Sequence, residues 1–276
     1  MDALSEILKR FNLHADVFFS GNLCSLSEFD EPDGKRGHIH ILKSGALELI
    51  DHSGKKRSIA QPCVMFFPRG KQHRIVPDPN KGADLVCATI DYQDVSAHPV
   101  ALALPDFMKF QFSRYPDLKK SAKWIFKEAF GDADGRLPMI HRLCDIFIIQ
   151  VLREVLKNGE IQHGMLAGLA HPQLSNVLTH IHAQADYPWS LETMAELAFM
   201  SRSKFADLFK DTVGETPGEY LTNWRMNIAK NALLKGDSVS MVAEKVGYEN
   251  GSALARAFRK KIGLSPKAWQ QQHLSV

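Results

Sequence analysis

The stretch "VAEKVGYENGSALARAFRKKIGLSP", Val242 to Pro266, decides the fold. Its apolar residues keep a helical period, yet Gly247 interrupts the helix, Gly251-Ser252 restarts it, and Gly263 with Ser265-Pro266 stops it. Glycine reaches positive φ without steric cost and proline cannot continue a helix, so this punctuation predicts two short helices joined by a sharp turn.

The same pattern occurs twice. At a shift of 49 residues, Ser203 falls over Ser252, Phe205 over Leu254, Phe209 over Phe258, Lys210 over Arg259, Gly214 over Gly263 and Pro217 over Pro266. At a shift of 48, Ala195 falls over Ala243, Glu196 over Glu244 and Met200 over Tyr248. The one-residue difference lies in the turn, where length varies most cheaply. Each copy therefore reads as helix, short turn, helix, over about 191–213 and 240–262, with Ser201 as an N-cap and Gly214 and Gly263 as C-terminal stops.

A wheel of about 100° per residue splits each second helix into two faces. Leu254, Ala257, Phe258 and Ile262 point inward in the second copy, and Ser252, Arg256, Arg259 and Lys260 outward. In the first copy Phe205, Leu208, Phe209 and Val213 oppose Ser203, Lys204, Asp207 and Lys210. Charge is divided as sharply. Thr222–Val276 holds nine Lys and Arg against three acids, whereas Leu191–Leu221 holds three against six. A one-sign basic block in an ordered region points to a polyanionic partner.

The rest of the chain reads differently. From about Ala15 to Ala97, "HIHILK", "ALELI", "VMFF", "HRIV" and "LVCATI" are short apolar and β-branched runs, separated by the turn signals "DGKRG", "HSGK", "PRGK" and "PDPNKG". That spacing predicts a small sandwich or barrel. After "HPVALALPD" the period becomes helical, over Leu118–Phe130 and Pro138–Lys157, the second with Leu143, Phe147, Val151 and Val155 on one stripe. Ile146–Val151 is apolar nearly all round and needs cover, either from its own domain or from a second copy. "KNGEIQHGMLAGLAH" reads as a connector.

Length and composition agree with two cores: 276 residues, 45% hydrophobic and 24% charged. No run is apolar enough to span a membrane and the N-terminus lacks the order of a secretory signal, so a cytoplasmic protein without membrane contact is expected. Cys24, Cys63, Cys87 and Cys144 are widely spaced with no Cys-x-x-Cys pair, so reduced thiols are expected.

"AEKVGYENGSALARAFRKKIGLSP" closely resembles the signature of the AraC/XylS family of transcriptional regulators, and "PWSLETMAELAFMSRSKFADLFKDTVGETPGEYLTNWRM" is similar to that family's first helix-turn-helix and linker helix. The resemblance covers about Leu174 to Gln272. It implies two helix-turn-helix units joined by a rigid helix over about Pro217–Leu234, entering successive major grooves of double-stranded DNA. Asp207 departs from the family, which often has a base there; an acid cannot hold phosphate but accepts from cytosine N4. Base contacts are expected from Arg202, Ser203, Lys204 and Asp207, with Lys210 and Ser252 also on the outward faces, and phosphate contacts from Arg256, Arg259 and Lys260.

"FFPRGKQH", Phe66 to His73, resembles the second motif of the cupin barrel, Pro-x-Gly-x-x-His, and "GHIHILKSGALEL" partly resembles the first. That likeness implies that His38, His40 and His73 converge, either as a divalent-metal site or as ordinary barrel histidines around a metal-free pocket. The glutamate usual after the His-x-His pair is missing, Glu48 being a late candidate. The whole chain resembles AraC-type regulators with a cupin-like sensor. The expected architecture is α+β multidomain: a cupin-like β-barrel over 1–100, a helical dimerisation and linker region over 101–170, and an all-α DNA-binding domain over 171–276. The resemblance implies a non-enzymatic regulator that forms a homodimer, receives a small molecule or stress signal in the barrel, and has RNA polymerase as a further partner. Cys24 and Cys87 offer a redox route for such a signal, against which stands simple packing of Cys87. The competing class is a metal-dependent cupin enzyme with an accessory DNA-binding module.

Overall fold

A computed structural model describes residues 3–10, 13–29, 36–92, 99–158 and 163–274. The first residues of the "DGKRG" turn and residues 159–162 of the expected connector lie outside them. The chain packs as two units, Phe11–Glu160 and Met1–Arg10 together with Ile161–Val276. Helix α1 (Ala3–Arg10) opens the chain and belongs to the second unit.

Among the described residues, nine strands build the first unit: β1 (His14–Leu23), β2 (Ser27–Phe29), β3 (Arg36–Gly45), β4 (Leu47–Asp51), β5 (Lys56–Ile59), β6 (Cys63–Phe67), β7 (His73–Pro77), β8 (Ala83–Asp91) and β9 (Met108–Gln111). They form two antiparallel sheets, ordered β1-β8-β3-β6-β9 and β2-β7-β4-β5. Leu42, Met65, Phe67, Leu85 and Cys87 of the first sheet share one core with Leu47, Leu49, Ile59 and Ile75 of the second. The outer face of the first sheet is also buried, at Ile39, Ile41, Val64, Phe66, Val86 and Ala88. This explains why β3 is buried at six successive positions instead of alternating, as strands covered on both faces are.

The helices α2 (Pro99–Ala103), α3 (Pro116–Ala129) and α4 (Arg136–Asn158) follow β8. α4 packs on β1 and on α3, and α3 also touches β8. Asp145 of α4 accepts from the Ala15 backbone N–H at 2.8 Å and lies 3.0 Å from His14 Nδ1, so the edge strand is tied to the helix. The apolar stripe of α4, with Phe147, Ile148, Val151, Leu152 and Val155, is buried within this unit, leaving Leu137, Met139 and Ile146 exposed. Helical regions were expected apart from the barrel; instead α3 and α4 share its unit, and Met108–Gln111, in a segment expected to be helical, pairs with β6 as an edge strand.

The second unit is helical: α5 (Met165–Ala170), α6 (Leu174–Ala183), α7 (Leu191–Leu197), α8 (Arg202–Val213), α9 (Pro217–Leu234), α10 (Val239–Lys245), α11 (Gly251–Ile262) and α12 (Pro266–Leu274). α5 replaces part of the expected connector. A Cβ on its Gly168 would lie 2.6 Å from Leu178 and 3.0 Å from Val213, so the glycine lets α5 press close to α6 and α8. α1 packs on α6 through buried Leu4 and Ile7.

Candidate functional site

The two copies of the repeat fold as α7-turn-α8 and α10-turn-α11. Each second helix starts on a side-chain cap: Ser201 accepts from the Lys204 backbone N–H at 3.4 Å, and Asn250 from that of Ala253 at 2.9 Å. Each ends on a left-handed glycine, Gly214 (φ 89°) and Gly263 (φ 86°). The inward faces bury Phe205, Phe209 and Val213 in α8, and Leu254 and Phe258 in α11. Arg202, Ser203, Lys204, Asp207 and Lys210 are all exposed on α8, as are Ser252, Arg256, Arg259 and Lys260 on α11. The outward sets are thus exposed in full, while of the expected inward residues Leu208, Ala257 and Ile262 are only half-buried.

α9 joins the copies and contributes to both. It packs on α8, α10 and α12, and its Met226, Ala229, Ala232 and Leu233 enter the core that holds Leu254 and Phe258. A capping box starts it: Glu219 accepts from the Thr216 backbone N–H at 3.0 Å, with Pro217 at the first helical position. Arg225, half-way along, donates to the Ala185 carbonyl at 2.8 Å and the Tyr187 carbonyl at 2.9 Å, while its guanidinium lies 5.8 Å from the Tyr248 ring centre. One side chain thus fastens the loop before the first copy to the turn of the second. In the sequence Arg225 is marked only as one member of a basic block. Lys261, also basic, bears on the carboxyls of Glu215 and Glu219 near the end of the first copy.

In the barrel, His38 and His40 lie on β3 and His73 on β7, so the second sheet brings its histidine over the pair on the first. All three are buried. His40 Nε2 is 2.8 Å from His73 Nε2, and the His73 ring stacks on Phe67 at 3.7 Å and on Phe29 at 5.2 Å. His73 Nδ1 donates to the Lys71 carbonyl at 2.8 Å, which leaves its Nε2 to accept from His40. Burial pushes the pKa of His38 and of His73 down to about 4 and that of His40 well below its ordinary value, so the three are neutral at pH 7. His38 Nδ1 and His40 Nδ1 are buried without a hydrogen-bond partner. The expected convergence is present, but it takes the form of a histidine–histidine hydrogen bond. Among the described residues no group of three or more His, Cys, Asp or Glu is disposed to hold a metal ion.

The cysteines differ in environment. Cys24 is exposed and donates to Asn22 Oδ1 at 2.8 Å. Cys87 is buried beside His40 in the β3–β8 register, and burial raises its pKa, which keeps the thiol protonated. Leu23 pairs with Ala83 and Phe19 with Cys87, so Cys24 and Cys87 stand roughly 15 Å apart along the strands and do not meet.

Residues 2–157 match a family model described as Cupin, and residues 194–272 match one described as Helix-turn-helix domain. The chain is 28% identical to the RCS-specific HTH-type transcriptional activator RclR of Escherichia coli, over 99% of this chain and 98% of the relative. It is 29% identical to the HTH-type transcriptional regulator AlkR of Acinetobacter baylyi, over 86% of this chain and 80% of that one. A putative AraC-like transcription regulator of Streptomyces antibioticus is 38% identical over 45% of this chain and 42% of the relative.

Proposed function

The chain belongs to the cupin family over residues 2–157 and to the AraC-type regulators by its helix-turn-helix domain, and from that premise we propose that it reads a specific DNA site through α8 and α11 and answers to a signal received in its barrel. The carrying observation is that two second helices of one repeat bury one face and expose a polar or basic one, while a single helix, α9, contributes to both copies. Helices so joined suit successive major-groove entries about one helical turn apart on one face of DNA.

Within that reading, α8 supplies base contacts through Arg202, Ser203, Lys204 and Asp207, and α11 supplies phosphate contacts through Arg256, Arg259 and Lys260. Genome-wide footprinting tests this. Discrete paired half-sites about one turn apart are expected, whereas scattered protection without sequence preference ends the proposal.

Regulation without catalysis is the role we assign, because the relatives are transcriptional regulators. No helix among the described residues is long and apolar enough to cross a membrane, which accords with the cytoplasmic location we propose. For the dimer, exposed Leu137, Met139 and Ile146 on α4 are the residues we assign to the seam. RNA polymerase is the further partner of the bound complex.

The signal is a small molecule or a stress. The Escherichia coli relative is named as RCS-specific, and of the two thiols in the redox expectation only Cys24 is open to solvent. A second reading puts a divalent metal on His38, His40 and His73, favoured by neutral imidazoles with two partnerless Nδ1 atoms; the His40–His73 bond must open to admit it. Near-stoichiometric metal that is lost in His73→Ala supports it, and metal-free protein with an unaltered response ends it.

A further inference from the structure

Outside the barrel interior, a cleft of about 550 Å³ lies between the first sheet and α3. Four lysines line it: Lys43 from β3, and Lys119, Lys123 and Lys127 from α3. The three on α3 are spaced four apart and so share one side of the helix. Its apolar wall is aromatic. Phe112, just after β9, meets Phe126 with ring centres 6.5 Å apart, and Phe126 meets Phe130 at 6.3 Å.

No acidic residue lines the cleft, and among the described residues none of the four lysines forms an ion pair. Lys43 instead sits 4.1 Å from the centre of the Phe130 ring. The contrast with the other side of α3 is direct: there a smaller cleft of about 270 Å³ mixes Asp117, Lys120, Arg153 and Glu154, and Lys120 pairs with Asp117 at 3.2 Å. Lys43 bears on the Asp84 carboxyl of β8, which is not among the lining residues; within the cleft the like charges around an apolar concavity raise the local potential. Lys119 also lies in the first turn of α3, the end of a helix that favours a negative group.

We propose that this cleft is a binding site for an aromatic organic anion, a carboxylate or sulfonate on a flat ring system. The charged head sits between Lys119 and Lys123, and the ring system lies against Phe126 and Phe130, where Lys43 stands over the Phe130 ring. The volume falls in the range of small-molecule sites, about 300–1,000 Å³. The rings offer edge and face contacts that an acyl chain uses less well. The site is separate from the histidine-lined interior, and binding at it does not require that the chain regulate transcription.

Fluorescence titration of the intact protein with anilinonaphthalene sulfonate tests the site, with naphthoate, neutral naphthalenemethanol and dodecanoate as competitors. Naphthoate is expected to displace the dye at about a tenth of the concentration naphthalenemethanol needs, and dodecanoate to compete less well than naphthoate. The double variant Lys119→Glu/Lys123→Glu, both exposed positions, is expected to weaken dye binding about tenfold. Lys120→Glu, on the same helix but outside the cleft, is expected to leave it unchanged. Equal displacement by the neutral analogue, or wild-type binding by the double variant, overturns the anion site; dodecanoate superior to naphthoate overturns the aromatic class. If the charge reversals unfold the protein by circular dichroism, Lys123→Gln supplies the same comparison, with a smaller loss expected and no loss overturning the proposal. DNA binding, measured on the same samples, keeps this outcome distinct from that of the regulator reading.

Discussion

Phe199 and Gly247 occupy equivalent places in the two helix-turn-helix copies, 48 residues apart, and both adopt positive φ, 54° and 72°. Phe199 stands 94% exposed. At Gly247 even a methyl group would lie 2.5 Å from the Asp186 carbonyl oxygen and 2.8 Å from Arg225 Nη2. The same turn thus meets a backbone demand alone in the first copy, and a backbone demand plus a packing demand in the second. The first turn is a free tip; the second is wedged in a seam, where Arg225 holds the Ala185–Tyr187 loop against it. Duplication supplied one motif, and the surroundings assigned each copy a different constraint.

The largest expected effect breaks that seam. Gly247→Ala must both carry a side chain in the left-handed region and displace a backbone carbonyl, so a loss of about 2–4 kcal/mol is expected in denaturant unfolding of the full chain. Gly214→Ala and Gly263→Ala serve as controls. They share the positive φ but have nothing within 4 Å of an added Cβ, so each should lose only about 1 kcal/mol. Equal losses at all three would mean that the seam yields and that the two turns do not differ in kind.

The second pair of tests concerns the outward faces. Arg256→Ala and Arg259→Ala should each weaken binding to target and random duplex alike, by about tenfold or less, and lower the salt slope by about one. A loss confined to the target site would make α11 a reader and erase the division of labour between the copies. Asp207→Ala should instead change the preferred base at one position by about 1 kcal/mol, seen in a competition between variant sites, with random-duplex affinity undiminished. An unchanged preference removes Asp207 from the readout.

The DNA-binding unit was legible because its signals are local: α9 spans the expected Pro217–Leu234, and α11 the expected Gly251–Ile262. Caps, glycine stops and an apolar stripe all lie within a few residues of what they decide. β3, β6 and β8 were legible for a related reason, since burial on both faces writes a continuous apolar run. β9 was not, because Met-Lys-Phe-Gln is four residues with two apolar ones and becomes a strand only by pairing with β6. α5 looked like a connector because "MLAGLA" owes its small residues to close packing on α6 and α8. The docking of α1 on α6, some 170 residues later in the chain, leaves no local mark. For the barrel histidines, strand parity placed His38 and His40 together, and the Pro-x-Gly turn brought in His73. Their mutual hydrogen bond depends on how closely the two sheets approach, which spacing along a chain does not encode.

The smallest expected effect sharpens the comparison from the other side. Phe199 has no buried surface to lose, so Phe199→Gly acts on two quantities only. Relief of a left-handed non-glycine residue favours the variant by about 1–2 kcal/mol. The greater freedom of glycine in the unfolded chain opposes it by about 0.5–1 kcal/mol. The balance is a gain of about 0.5 kcal/mol, visible as a small rise in the denaturant midpoint at unchanged slope. DNA affinity should be unaltered. A loss of stability would mean that the ring packs on something and the tip is not free. A loss of affinity without loss of stability would place Phe199 against DNA, and the two turns would then differ by function as well as by constraint.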